Sequence, residues 1–224
     1  MSILESPTAP ALDLAGLSKS WGNLRVLVGV ELRLEAGQRA WVGGRNGVGK
    51  TTLLRIAAGL ILPDSGEISL HGLDAERDRR AFQARLGFLT AGNTGLYARL
   101  TVRDNIGFQA AISFVPRSRR AQAVEEALVR FGLTELADRR VDRLSMGQRQ
   151  RARLAMAFVH SPPVMLLDEP ETSLDDEGLE LLDGALQEMV ASGGAALVCS
   201  PSRAKLELGV DTGYMLDAGK LVPS

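Results

Sequence analysis

Apolar and polar positions change their spacing several times along the chain, and each change marks an element. Residues 11–17 and 25–34 read as strands. In the second, Val26, Val28, Val30, Leu32 and Leu34 alternate with less apolar or charged residues, the period of a half-buried strand. Ala40-Trp41-Val42 is a short apolar run of the buried-strand kind, and residues 52–58 then take helical apolar spacing. Residues 66–70 follow the turn signal Pro63-Asp64-Ser65-Gly66 and predict another strand, with a fourth short apolar run at 86–89. From about 101 to 160 the texture is helical. Thr101-Val102-Arg103-Asp104 has the form of a capping box, and 117–131 predicts a helix with Val124, Leu128 and Phe131 on one face. Strand–helix alternation resumes after Pro162-Pro163: a strand at 164–167, a helix at 177–190, a strand at 195–199 and a hairpin-like end over 213–222. The order implies an α/β protein, a mixed sheet packed by helices and interrupted by a helical insert. Residues 1–10 read as a loose arm.

Composition narrows the picture. The 224 residues are enough for one domain with a sizeable core, and the formal net charge of −1 supplies no basic field, so no nucleic-acid partner is expected. One cysteine, Cys199, excludes an internal disulfide framework. No apolar run approaches the roughly 18 residues of a membrane span, and Glu5, Pro7 and Pro10 break any signal-peptide pattern. The expectation is a soluble chain. The cluster Arg117, Arg119 and Arg120 reads as a solvated helix face rather than a phosphate or lipid contact.

Chemistry enters at Gly44-Arg45-Asn46-Gly47-Val48-Gly49-Lys50-Thr51, which fits G-x-x-x-x-G-K-[ST] between a predicted strand and a predicted helix. Glycines permit φ > 0, so successive N–H groups can point at a phosphate, and the helix N-terminus adds partial positive charge. Asn46, Gly47, Val48, Gly49, Lys50, Thr51 and Thr52 are therefore the candidate nucleotide cradle. Lys50 is placed to reach the β/γ-phosphates of ATP, and the Thr51 hydroxyl to bind Mg²⁺. Val164-Met165-Leu166-Leu167 then delivers Asp168 and Glu169 to the ligand edge of a sheet. Asp168 is the second candidate for Mg²⁺, and Glu169 the candidate to polarise a water for in-line attack on the γ-phosphate.

Leu144-Ser145-Met146-Gly147-Gln148 closely resembles the LSGGQ signature of ATP-binding-cassette (ABC) ATPases, and the flanking features follow in that family's order over nearly the whole chain. Asp168-Glu169-Pro170 resembles its D-E-P motif, and Thr172-Ser173-Leu174-Asp175 the following D-loop. Trp21 stands about where the family stacks an aromatic on adenine; a packing role is the alternative that the local residues alone would favour. The resemblance implies a P-loop NTPase fold of the ABC type, with an N-terminal antiparallel β subdomain and an inserted α-helical subdomain. It further implies a single domain over 1–224, with a core at 11–89 and 161–224 and the helical subdomain at about 90–160. In the family, the signature residues (here Ser145, Met146, Gly147 and Gln148) face the nucleotide held by a second ATPase subunit, in a homo- or heterodimer. Gly95-Leu96-Tyr97-Ala98-Arg99-Leu100-Thr101-Val102-Arg103-Asp104-Asn105 resembles the ABC-2-type exporter stretch. That likeness implies transmembrane permease subunits as partners, peripheral placement on the cytoplasmic face of the membrane, and a docking surface around residues 97–114, with Leu96, Tyr97, Leu100, Ile106 and Phe108 as its apolar candidates.

Beside the milder departures at Arg45, where many members have proline, and Met146, which replaces the first signature glycine, two departures from the family matter more. Pro201 stands where a histidine usually contacts the γ-phosphate, and proline has neither a side-chain donor nor an N–H. The loop 87–97 lacks the usual glutamine, its place falling near Ala91 with Asn93 the nearest amide. Slow hydrolysis is the expectation. A weakly hydrolysing partner subunit and a soluble assembly module without a membrane partner are the alternatives.

Overall fold

The computed structural model describes residues 9–92, 94–172, 174–201 and 209–224; most of the expected N-terminal arm, Asn93 and Ser173 lie outside them. In chain order the elements are β1 (Leu12–Trp21), β2 (Leu24–Leu34), β3 (Arg39–Gly43), α1 (Lys50–Ala57), β4 (Ser65–Leu70), β5 (Leu73–Asp74), α2 (Arg79–Ala84), β6 (Leu86–Leu89), α3 (Val102–Ile112), α4 (Arg120–Arg130), α5 (Met146–Phe158), β7 (Val164–Asp168), α6 (Asp176–Ala191), β8 (Ala195–Cys199), β9 (Thr212–Asp217) and β10 (Lys220–Pro223).

The strands form two sheets. One is antiparallel, in the order β2-β1-β4-β5, and the other is mixed, in the order β10-β9-β3-β8-β7-β6. In the mixed sheet β9, β3, β8, β7 and β6 run parallel, and only β10 opposes its neighbour. Its central strands read as near-continuous apolar runs because both faces are covered. Successive residues point into two separate cores. Trp41, Met165, Leu167, Ala196 and Val198 pack with α3, α4, α5 and α6. Ala40, Val42, Leu166, Leu197 and Cys199 pack with α1 and the antiparallel sheet. Helix α1 and helix α5 therefore lie on opposite faces of the mixed sheet.

Several expectations are corrected. The first strand continues four residues beyond 17, so Trp21 is its last residue. Bulges between Leu14 and Leu17 and between Leu17 and Lys19 break the alternation that would have shown this. Helix α4 begins at Arg120, because 116–119 form a turn closed by Arg119 N donating to Pro116 O at 2.8 Å. The short β5 and α2 had no sequence signal. The capping box at Thr101 is present: its Oγ1 accepts from Asp104 N, and Asp104 reaches back to Thr101 N. Val124, Leu128 and Phe131 are all buried, with the Phe131 ring 5.4 Å from that of Phe158.

Two half-buried histidines give the fold a pH dependence. Burial holds His160 below its ordinary 6.5, opposed by its hydrogen bond to Leu86 O at 3.1 Å; burial and then Arg85 lower His71 in the same direction. Below pH 6.5 the unfolded chain takes up these protons before the folded one does, so stability is complete above that pH and falls as pH drops towards the folded values. The urea midpoint is expected to fall between pH 7.5 and 5.5, and to fall less in His160→Gln.

Candidate functional site

The phosphate-loop candidate joins β3 to α1 at the carboxyl edge of the mixed sheet. Gly49 is the N-cap of α1 with φ 119° and ψ 5°, and no side chain caps the helix. The first-turn N–H groups of α1, which have no intrahelical acceptor, are thus left for a ligand. Val48 N donates to Arg45 O at 3.2 Å and closes the loop. Lys50 is buried, and its Nζ folds back to donate to Gly44 O at 2.8 Å and Arg45 O at 3.2 Å. An incoming phosphate would offer that ammonium a charged acceptor in place of two carbonyls. Asn46 and Gly47 are exposed, and Val48, Thr51 and Thr52 are half-buried along the same mouth.

Strand register brings the acids to this edge. Val42 pairs with Cys199, and Cys199 with Asp168, so β8 separates the phosphate loop from the acidic pair by one strand on each side. Thr51 Oγ1 nevertheless reaches across and donates to Asp168 Oδ2 at 2.8 Å. The other oxygen, Asp168 Oδ1, is buried without a hydrogen-bond partner. Such an orphaned carboxylate oxygen beside a hydroxyl is the donor set that a hard cation takes. Glu169 follows with φ 48°, an uncommon conformation for a residue with a Cβ, and is held by its N–H donating to Cys199 O at 2.8 Å. This kink turns the chain off the strand at the residue whose carboxylate is the candidate base. Burial and then the Asp168 charge push the Cys199 thiol well above its ordinary range, so Cys199 is an inert filler beneath the site.

Trp21 is half-exposed at the tip of the β1–β2 hairpin, with Lys19 Nζ 4.9 Å from its ring centroid. The strand that returns from this tip abuts the phosphate loop: a Cβ placed on Gly49 would lie 2.7 Å from Val26 Cγ1. An exposed indole at this tip offers a π face, whereas a packing residue would be covered.

The signature candidates do not join this cluster. Ser145 is the N-cap of α5, its Oγ accepting from Gln148 N at 3.2 Å while Gln148 Oε1 accepts from Ser145 N at 3.1 Å. Ser145-x-x-Gln148 is itself a capping-box pattern, a signal the sequence reading passed over. Ser145 and Met146 are exposed and Gly147 half-exposed, in the layer opposite α1.

Of the departures, Pro201 lies exposed just past β8, and Asn93 lies outside the described residues. Ile106, counted among the apolar docking candidates, is fully buried core. Tyr97, Leu100 and Phe108 are exposed, as are Ile112 and Phe114, and Tyr97 meets Phe108 edge-on at 5.2 Å. The sequence reading missed Arg153, a buried cation in the middle of α5. Its position inside the apolar run Ala152–Ala155 was the available signal.

A glycine-rich strand–loop–helix at one sheet edge, beside a carboxylate pair on a second strand, defines a P-loop nucleotide-binding protein. The ABC transporter family model matches residues 27–172, well over half of the chain. Relatives include the ABC transporter ATP-binding protein NatA of Bacillus subtilis, 31% identical over 193 residues (86% of this chain, 78% of the relative). The cytochrome c biogenesis ATP-binding export protein CcmA of Xanthomonas campestris is 40% identical over 194 residues, covering 85% of this chain and 87% of the relative. The solved structure of an ATP-binding subunit of an ABC transporter superposes with a TM-score of 0.87 at 23% identity, over 96% of this chain and 89% of the other, and so shares the fold. The chain belongs to the ABC transporter family, as an ATP-binding-cassette ATPase.

Proposed function

We propose that this chain is the ATP-binding subunit of an ABC exporter, dimerising on ATP and hydrolysing it slowly to drive separate transmembrane permease subunits. The observation that carries the reading is the split of the site. Phosphate loop and acidic pair share one sheet edge, while the signature caps a helix in the opposite layer, so Ser145 and the amides near Gly147 are free to meet the nucleotide of a second subunit. A neighbour of the same fold, an ATP-binding cassette in a post-hydrolysis state bound to ADP and Pi, is itself dimeric.

On this reading residues 1–224 act as one domain, its core at 11–89 and 161–224 and its helical subdomain at about 90–160. Trp21 stacks on adenine, and the amides from Asn46 to Thr52 with Lys50 bind the phosphates. Thr51 and Asp168 hold Mg²⁺, a fit supported by the orphaned Asp168 oxygen. The bound cation offsets phosphate charge. Glu169 accepts the proton of the attacking water.

Export-named and import-named relatives both occur, among the latter a sulfate/thiosulfate import ATP-binding protein of Thermosynechococcus vestitus. Export is favoured here by the 95–105 stretch. Among the described residues no helix is long and apolar enough to cross a membrane; on this reading the transport path lies in separate permease subunits. On this reading the docking face is the exposed set Tyr97, Leu100, Phe108, Ile112 and Phe114, the last two lining a groove of about 430 Å³.

The test is ATP turnover and ATP-dependent dimerisation of the purified chain, followed in Pro201→His. Slow turnover by the native chain, raised about tenfold by a donor restored beside the γ-phosphate, is expected. Failure to bind ATP would overturn the reading.

A further inference from the structure

Among the described residues, Thr90, Gly92 and Thr94, in the loop after β6 where the family glutamine is missing, are held by a single side chain from the signature helix. Arg153 is 5% exposed, and all five of its N–H donors are spent. Nε donates to Thr94 O at 2.9 Å. One terminal nitrogen donates to Gln150 Oε1 at 2.7 Å and to Gly92 O; the other donates to Thr90 O at 2.6 Å and Thr90 Oγ1 at 2.9 Å. Four of the five acceptors belong to the loop, and Gln150 lies one turn back on α5. No carboxylate pairs with Arg153 among the described residues, and burial lowers its pKa. A cation taken out of water and balanced only by carbonyl, hydroxyl and amide oxygens is a costly way to fill space, and an aliphatic side chain would fill it without that cost. What the guanidinium adds is its planar fork, which binds three positions of one loop at once.

The loop starts beside the acids. Leu89 pairs with Leu167 across β6 and β7, so Thr90 stands level with Asp168 one strand away. At its other end, Thr94 and Gly95 line the same groove as Arg153, Gln109, Ile112 and Phe114. The loop therefore spans from the hydrolytic edge to the apolar docking face, and its only side-chain anchor among the described residues is on the helix that begins at Ser145.

We infer that Arg153 is a positioning residue, a latch that makes Thr90, Gly92 and Thr94 move as one body with the signature helix. This deepens the proposed function: signature movement on nucleotide closure is transmitted to the docking groove and to the water beside Glu169 through a guanidinium, in a chain whose loop lacks the glutamine. The Arg153 hydrogen bonds go to Thr90, Gly92, Thr94 and Gln150, and it acts through the placement of Thr90 and Thr94.

The test compares the full chain with Arg153→Met and Arg153→Lys by amide hydrogen exchange, without nucleotide and with ATP and Mg²⁺, together with steady-state ATP turnover. Lysine keeps the charge and the apolar stem but not the fork, and so separates fork from charge. In both variants, peptides spanning 87–100 are expected to exchange about tenfold faster, with 146–158 unchanged. The kcat for ATP is expected to fall about tenfold at constant KM, the mark of lost positioning rather than lost binding. Unchanged loop exchange in both variants overturns the latch. So does equal loosening of α3, α5 and β6, which would make Arg153 a packing residue, and so does a lysine variant that behaves as the native chain. The nucleotide-free exchange decides the latch even if the chain turns over no ATP, an outcome that would count against the proposed function alone.

Discussion

Glu169→Gln is expected to lower ATP turnover by about 10²-fold or more, because on the proposed reading the carboxylate that takes the proton of the attacking water becomes an amide that cannot. The substitution keeps the volume and leaves the left-handed turn with its N–H bond to Cys199 O intact, so the protein should fold as before. Thr51, Asp168 and Lys50 are untouched, and ATP should still bind. The two readouts should therefore diverge. Fluorescent-nucleotide affinity stays within a few-fold of the native chain, while phosphate release drops close to background and ATP-bound dimer accumulates on a sizing column. Turnover equal to that of the native chain would show that another group activates the water.

The second large effect is expected at Gly49. Its φ of 119° is a conformation that residues with a Cβ rarely adopt, and a Cβ there would sit 2.7 Å from Val26 Cγ1 and 3.2 Å from Val26 O. Strain of about 1–3 kcal/mol is expected from the dihedral alone. The crowding adds to it, and the chain relieves both by turning the first amides of α1 away from the loop. For Gly49→Ala, nucleotide affinity is expected to fall at least about tenfold and the melting temperature by about 5 °C, read by titration and by thermal unfolding. Gly47→Ala is the internal comparison. It also has positive φ, at 81°, but its Cβ would meet nothing within 4 Å, so dihedral strain is its only penalty and the loss should be smaller.

What could be read from the sequence divides along physical lines. The buried strands β3, β7 and β8 were legible because both faces are covered and, apart from Arg39 and Asp168 at the strand ends, every residue is apolar, which leaves nothing to alternate. The phosphate loop and the Asp168-Glu169 pair were legible because their chemistry requires fixed residue types at fixed spacing. The far half of β1 was not. The β1–β2 register shifts three times between Leu14 and Ser20, and Ser18, Lys19 and Ser20 are half-buried polar residues that a two-residue period does not predict. The first turn assigned to α4 was lost for a similar local reason: Pro116 opens a separate turn, and Arg120 Nε donates to Val115 O at the true helix start. Arg153 was hidden at a different level. Its partners lie about sixty positions earlier, and nothing local to α5 indicates that a basic residue in the signature helix has found three backbone carbonyls to serve.

The mixed sheet also acts as a partition between two compartments, since consecutive residues of one strand face different cores. Leu197 and Val198 are neighbours in the chain and both are fully buried, yet the first touches the layer that holds α1 and the second the layer that holds α5. Methyl probes on these two residues would be separated by one peptide bond and would report on different halves of the catalytic cycle. The Leu197 signal would respond when phosphate settles into the loop, and the Val198 signal when the signature layer swings to meet a second molecule. The interval between the two responses would time how long the loaded half-site waits for its partner.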